Sequence, residues 1–80
     1  MKGWCYRLAL PLIDIVRMKS GFAYVRTMFD PIDKIFRTES HPCDNDLFVD
    51  FSKSYVAAGC ATEKEAESNH SFIISFLKER

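Results

Sequence analysis

The sequence predicts an α+β fold: a small antiparallel sheet of three to four strands with one C-terminal helix packed on one face. Two observations lead to this prediction. Up to Gly59, short apolar stretches that alternate or are rich in β-branched residues are separated by Gly, Pro and Asp, as in strands and turns. Beyond Gly59, a helix-capping pattern precedes apolar residues at helical spacing. A chain of 80 residues that is 48% apolar is expected to form a single domain over residues 1–80.

The first predicted strands lie on either side of a proline. Residues 4–10 alternate between large apolar side chains and smaller or charged ones, a period of two that indicates a strand. Pro11 interrupts this ladder, because proline has no backbone N–H to donate. Residues 12–18 contain enough β-branched side chains to favour a further strand. The alternative for residues 12–18 is a short helix that begins at Pro11.

A hairpin is predicted over residues 12–29. Residues 19–21, Lys-Ser-Gly, form its turn, because glycine adopts backbone angles that other residues avoid. Residues 22–29 form the returning strand. Its aromatic residues Phe22 and Tyr24 fit either the core or the surface, and the sequence does not distinguish the two.

The middle of the chain is predicted to contain a short helix, a loop and a strand. The Asp-Pro pair at residues 30–31 suits the cap and first position of a short helix near residues 31–37. Residues 38–46, with the sequence TESHPCDND, are polar and contain a proline, which indicates a loop. Residues 47–58 are typical of a third strand with apolar residues on one face, and Gly59 is expected to end it.

The C-terminal helix is predicted over residues 62–78. Thr62 and Glu65 match a capping box, in which both side chains satisfy donors of the first turn. The apolar stripe of this helix consists of Ala66, His70, Ile73 and Leu77. As an alternative, the helix ends early and residues 71–77 form a fourth strand. The stripe is expected to cover one face of the sheet and to leave aromatic residues on the other.

The segment Gly-Phe-Ala-Tyr-Val at residues 21–25 resembles the strand motif of RNA-recognition domains, whose aromatic side chains stack on bases. Residues 47–49, Leu-Phe-Val, are similar to the second motif of that family. The two segments occur in the opposite order to the family's, and the resemblance covers only these residues. It implies binding of single-stranded RNA or DNA as an alternative function. The resemblance assigns base stacking to Phe22, Tyr24 and Phe48, and phosphate contacts to Arg7, Arg17, Lys19 and Arg26.

The charge balance makes nucleic acid an unlikely partner. The chain has 11 basic and 11 acidic residues and a formal net charge of zero, whereas nucleic-acid-binding domains usually carry a clear basic excess. Residues 8–13, the longest apolar run, contain a proline and are far too short to cross a bilayer. No membrane partner is therefore expected.

The chain has three cysteines, Cys5, Cys43 and Cys60. Their odd number and wide spacing do not indicate a disulfide framework. No secretion signal is recognised, so a cytoplasmic protein with free thiols is expected. A thiol- or metal-dependent activity is the second alternative, because Cys43 and Cys60 form the candidate metal ligands together with His41 and His70. Their spacing lacks the short pairs typical of zinc sites, so no metal or cofactor is predicted.

No phosphate-binding loop, dinucleotide-binding glycine turn or nucleophile elbow occurs in the sequence, so an enzyme is not expected. The leading hypothesis is a small intracellular protein-interaction module. It would be a stand-alone regulator or inhibitor that occludes a protein partner, of the kind that phages and other mobile elements often encode. Because interface hot spots favour aromatic and arginine side chains, the predicted partner-binding residues are Tyr6, Arg7, Arg17, Lys19, Tyr24 and Arg26. An exposed sheet edge would also allow a homodimer.

Overall fold

The computed structural model describes residues 11–80, which form a four-stranded antiparallel sheet with one C-terminal helix packed against it. The elements are β1 Leu12–Met18, β2 Gly21–Asp30, β3 Ile35–Cys43, β4 Ala57–Cys60 and α1 Glu63–Lys78. The strands lie in the order β1-β2-β3-β4, and each is antiparallel to the next. The predicted α+β fold is confirmed. The strand predicted for residues 4–10 lies outside the described residues.

β1 and β2 form the predicted hairpin. Its paired residues run from Leu12 opposite Thr27 to Met18 opposite Gly21. Gly21 has a φ of 143°, which favours glycine at the end of the turn. The strand prediction for residues 12–18 is confirmed and the helix alternative is wrong, because the β-branched side chains of this segment pack on the pleated sheet.

Residues 31–34 form a tight turn. The Asp30 carboxylate accepts from two backbone N–H groups of this turn, at 2.9 and 3.2 Å, as an N-cap residue does. The chain then departs from the helical path at Lys34, whose φ is 58° and whose N–H donates to the Asp30 carbonyl. The short helix predicted near residues 31–37 is therefore wrong: a single capped turn reverses the chain, and β3 pairs with β2.

β3 occupies most of the segment that was predicted to be a loop. Thr38 and Ser40 are buried in it. The Ser40 Oγ donates to the Val56 carbonyl at 2.7 Å and accepts from the Val56 N–H at 2.8 Å. The loop predicted for residues 38–46 is thus wrong for residues 38–43, because neighbouring segments satisfy the polar groups that made this stretch look irregular.

Residues 47–58 do not form the continuous strand that was predicted. Val49 makes an isolated bridge with the end of β3, and regular pairing resumes only in β4, which contains Gly59 rather than ending before it. In between, the Asp50 carboxylate accepts from the backbone N–H and the hydroxyl of Ser52. This Asx turn directs the chain out of the sheet, and so the alternating pattern of the segment does not produce a strand.

α1 is one continuous helix, as predicted for residues 62–78, and the fourth strand considered for residues 71–77 does not form. The Thr62 Oγ accepts from the Glu65 N–H at 3.2 Å and donates to the Glu65 carboxylate at 3.1 Å, so the predicted capping pair is present. The buried residues of the helix are those of the predicted stripe, Ala66, His70, Ile73 and Leu77.

The hydrophobic core lies between α1 and one face of the sheet. Its members are Val16, Met18, Ala23, Val25, Ile73 and Leu77. Because side chains alternate along a strand, the residues between these core positions point to the other face of the sheet. Within residues 11–80, no helix combines the length and the apolar composition needed to cross a membrane.

Candidate functional site

The face of the sheet opposite α1 is the candidate functional site, and we call it the open face. Strand alternation and register assign its residues: Ile13, Ile15 and Arg17 of β1, Phe22, Tyr24, Arg26, Met28 and Asp30 of β2, and Ile35, Arg37, Glu39, His41 and Cys43 of β3. In the hairpin, three pairs stand across from each other: Ile13 with Arg26, Ile15 with Tyr24, and Arg17 with Phe22.

The β1 side of the open face is apolar and accessible. Ile13 is 51% exposed and Ile15 is 43% exposed, while Met28 on β2 is also exposed. Isolated exposed apolar residues are common, but neighbouring ones on a flat strand pair form a patch that can bind a partner. The partner-binding residues predicted from sequence did not include Ile13 and Ile15. The available signal was that β1 carries apolar residues on both of its faces.

An aromatic cluster covers the centre of the open face. Phe51, from the segment between β3 and β4, contacts the Tyr24 ring edge-on with a centroid distance of 5.7 Å, and the His41 ring at 5.0 Å. The His41 Nδ1 donates to the Lys53 carbonyl at 2.7 Å, which holds this segment on the sheet. Tyr24 is therefore half-buried, whereas Phe51 itself stays 58% exposed.

The cations of the open face differ in how well they are paired. The Arg37 guanidinium donates to Asp30 at 3.0 Å and also contacts Asp33. The hydrogen bond from Arg37 lowers the pKa of Asp30 below its ordinary value, with help from backbone N–H groups of the turn. Arg26 has one ion pair, from its Nη2 to Glu39 at 3.4 Å, and its buried Nε has no acceptor among residues 11–80.

A chain of polar side chains lies under α1, on the other side of the sheet. The Thr27 Oγ is 2.7 Å from the Thr38 Oγ and 2.7 Å from the His70 Nδ1. The His70 Nε2 is 2.8 Å from a carboxylate oxygen of Asp14. With a neutral imidazole, Nε2–H donates to Asp14, Nδ1 accepts from the Thr27 hydroxyl, and Thr27 accepts from Thr38.

The order of groups in this chain, hydroxyl to imidazole to carboxylate, is that of a hydrolase triad. Thr27, however, is 0% exposed and lies between the helix and the sheet. A nucleophile must reach its substrate, and Thr27 is buried. These hydrogen-bonded side chains therefore link α1 to three strands and do not form a reaction centre. The sequence placed His70 on the apolar stripe and among the candidate metal ligands, but it did not predict these hydrogen bonds, because the polar partners of His70 come from distant parts of the sequence.

The candidate metal ligands are not brought together. His41 lies on the open face and His70 lies under α1, and among residues 11–80 no group of three or more His, Cys, Asp and Glu side chains is arranged to hold a metal ion. Cys43 and Cys60 are free thiols. Burial raises the pKa of both thiols, which disfavours the reactive thiolate form.

Four of the six predicted partner-binding residues lie in the part of the chain that the structure describes. Arg17, Tyr24 and Arg26 share the open face. Lys19 is exposed in the turn between β1 and β2. Tyr6 and Arg7 lie outside the described residues.

Of the three residues to which the family resemblance assigns base stacking, Phe22 and Tyr24 share the open face. Phe48 is not part of a strand and is exposed in the loop after β3. Comparison of the chain with models of protein families, with curated proteins and with solved structures finds no match.

Proposed function

We propose that the protein is a small protein-interaction module that binds a protein partner with its open face and so acts as a regulator or inhibitor. The observation that carries this proposal is the exposure of Ile13 and Ile15 beside the Tyr24–Phe51 aromatic pair. A sheet presents such side chains in a fixed arrangement, so little conformational entropy is lost when a partner binds them. The free thiols of Cys43 and Cys60 suit the reducing interior of a cell, where we propose that the protein acts.

The size of a typical interface indicates how far the contact extends. Three strands about 4.8 Å apart and seven residues long at about 3.3 Å per residue have a projected area of about 300 Å². A standard interface buries about 800 Å² on each partner. The partner would therefore also contact the segment between β3 and β4, where Leu47, Phe48 and Phe51 are exposed.

An affinity purification with the full chain tests the proposal. We expect a stoichiometric protein partner that is lost on Tyr24→Ala and on Ile15→Lys, because both changes alter the centre of the open face. Ile15 is 43% exposed, so Ile15→Lys is expected to fold. Phe72→Ser is the matched control, since Phe72 is exposed on α1. A partner that survives both open-face changes in folded protein, as judged by circular dichroism, would contradict the proposal.

Binding of single-stranded nucleic acid is the second candidate function. It is favoured by one observation: Phe22 and Tyr24 lie on the same face as Arg17 and Arg26. The formal net charge of zero weighs against it. Titration of labelled RNA and DNA oligonucleotides at low salt decides this point, because binding through Arg17 and Arg26 would weaken steeply as salt is added.

A further inference from the structure

On the basis of the function proposed above, we propose that the partner surface is acidic and apolar: a segment whose two carboxylates are received by Arg17 and Arg26 and whose apolar side chain lies on Ile15 and Tyr24. The partner chemistry follows from three features of the open face, which are the incomplete pairing of its arginines, the shortage of acidic residues near them, and their spacing.

The first feature, incomplete pairing, is clearest at Arg26. Its guanidinium has five N–H donors, but among residues 11–80 its acceptor is one Glu39 oxygen at 3.4 Å, and its buried Nε has none. Hydrogen bonds of this kind are normally about 2.7 to 2.9 Å long. Because the side chain stays 31% exposed, a carboxylate from a partner can reach the guanidinium and accept from more than one donor.

Arg17 is the second cation with free donors. It is exposed at the end of β1 and makes no ion pair within residues 11–80. Residues 1–10 contain no Asp or Glu in their sequence, so they bring no carboxylate to either arginine. In the described strands, two carboxylates belong to the open face: Asp30 is bonded to Arg37, and Glu39 already contacts both Arg26 and His41 at 3.4 Å.

The distance between Arg17 and Arg26 defines the sequence pattern expected of the partner segment. Arg17 stands opposite Phe22, and Arg26 is four residues further along β2. Four residues along a strand and one strand across correspond to about 14 Å. Between them lies the apolar pair of Ile15 and Tyr24. An extended segment places residues i, i+2 and i+4 on one face over about 13 Å, so the matching pattern is acid, any residue, apolar, any residue, acid.

A peptide-display selection on the immobilised full chain tests this pattern. The selected peptides are then synthesised with a fluorescent label, both as selected and with every Asp and Glu replaced by Asn and Gln, and titrated by fluorescence anisotropy. We expect acidic residues two positions on either side of an apolar one. We expect the neutral copies to bind at least tenfold more weakly, and binding to weaken as salt rises.

Variants of the chain identify the receiving groups. Arg17→Gln is expected to weaken binding about threefold, as for an exposed ion pair, and Arg26→Gln about tenfold or more, because Arg26 is partly buried. Arg26→Lys should recover only part of the loss, since lysine lacks the two-donor geometry. Glu39→Gln should strengthen binding, because it removes the internal competitor for Arg26. Lys64→Gln, on exposed helix surface, is the matched control and should change nothing.

The outcomes separate this inference from the function on which it rests. Peptides without acidic residues whose binding is still lost on Tyr24→Ala would overturn the acidic pattern and leave the protein-binding function standing. Peptides that bind equally well to the Tyr24→Ala variant would overturn both. Tighter binding of a single-stranded oligonucleotide than of any peptide, or a doubling of molecular mass that Ile15→Lys abolishes, would overturn the inference in favour of nucleic acid or of a second copy of the chain.

Discussion

The polar chain under α1 provides a sharp test of what holds the helix on the sheet. Thr27→Val replaces the hydroxyl at the centre of this chain with a methyl group of similar size. Because the Thr27 Oγ lies 2.7 Å from both the Thr38 Oγ and the His70 Nδ1, the change removes two hydrogen bonds at once. Thr38 and His70 are 1% and 4% exposed, so water does not replace the lost partner.

The expected cost follows from the number of polar groups left without a partner. A buried donor or acceptor without a partner costs about 1 to 3 kcal/mol, so the loss of two partners in Thr27→Val is expected to lower the free energy of unfolding by about 2 to 6 kcal/mol. The free energy of unfolding of a native protein is about 5 to 15 kcal/mol, and a domain of this size lies toward the lower end of that range. A single hydroxyl is thus expected to account for a large share of the stability.

Three further variants, two single and one double (Thr27→Val with Thr38→Val), separate hydrogen bonding from packing. Thr27→Ser keeps the hydroxyl and loses one buried methyl group, at a cost of about 1 kcal/mol. Thr38→Val breaks one bond but leaves Thr27 paired with His70, so it should cost about 0.5 to 1.5 kcal/mol. In the double variant only the His70 Nδ1 lacks a partner. The double variant should therefore be more stable than Thr27→Val alone, although it carries one more change.

Urea unfolding followed by circular dichroism measures the free energy of unfolding of the unchanged protein and of the four variants. Either of two results would contradict the shared hydrogen bonds of Thr27: Thr27→Val costs no more than Thr27→Ser, or Thr38→Val adds its full separate cost to that of Thr27→Val. Additive costs would mean that the two hydroxyls do not share a hydrogen bond, because residues in one network are expected to be strongly coupled.

Three further changes test local features of the fold. Thr62→Ala removes the N-cap of α1 and should lower the free energy of unfolding by about 1 kcal/mol in the same urea assay; no change would mean that the cap is dispensable. Leu47→Gly should raise the melting temperature, because Leu47 has a φ of 66° and its side chain is largely exposed, so glycine relieves about 1 kcal/mol of backbone strain. In a carbon-detected NMR titration, the pKa of Asp30 should lie below 3.8 and rise toward that value in Arg37→Gln. Because the folded-state pKa is the lower one, Asp30 stabilises the fold above its unfolded pKa, and this contribution is lost as pH falls through the folded pKa. An unchanged Asp30 pKa in the variant would contradict the assigned role of Arg37.

The hairpin and the helix could be predicted from sequence because their signals are local. β-branched residues and a Lys-Ser-Gly turn indicate the hairpin over residues 12–29, and the capping pair Thr62 and Glu65 marks the start of α1. Each of these signals involves residues a few positions apart, whose geometry is set by the backbone. The sharing of one face by Arg17, Tyr24 and Arg26 is also a consequence of strand periodicity and a short turn.

The segment between β3 and β4 shows why part of the site could not be predicted. Apolar residues at alternate positions favour a strand, but the hydrogen bonds of Asp50 with Ser52 form a turn that competes with it. The turn carries Phe51 over the open face, where it contacts Tyr24 and His41. Neither contact is visible in the sequence, because both depend on where β3 lies relative to a segment that leaves the sheet and returns.

The two faces of the sheet depart from the usual rule that apolar residues face the core and polar ones face water. The buried face contains Thr27, Thr38 and Ser40, each paired by hydrogen bonds, while the open face exposes Ile13 and Ile15. The polar residues on the buried face are the reason that β3 resembles a loop in the sequence. A helix of 16 residues is about 24 Å long and covers one face only. The apolar residues of the open face are therefore the ones that no described element of the fold buries, which makes this face the place to look for a partner.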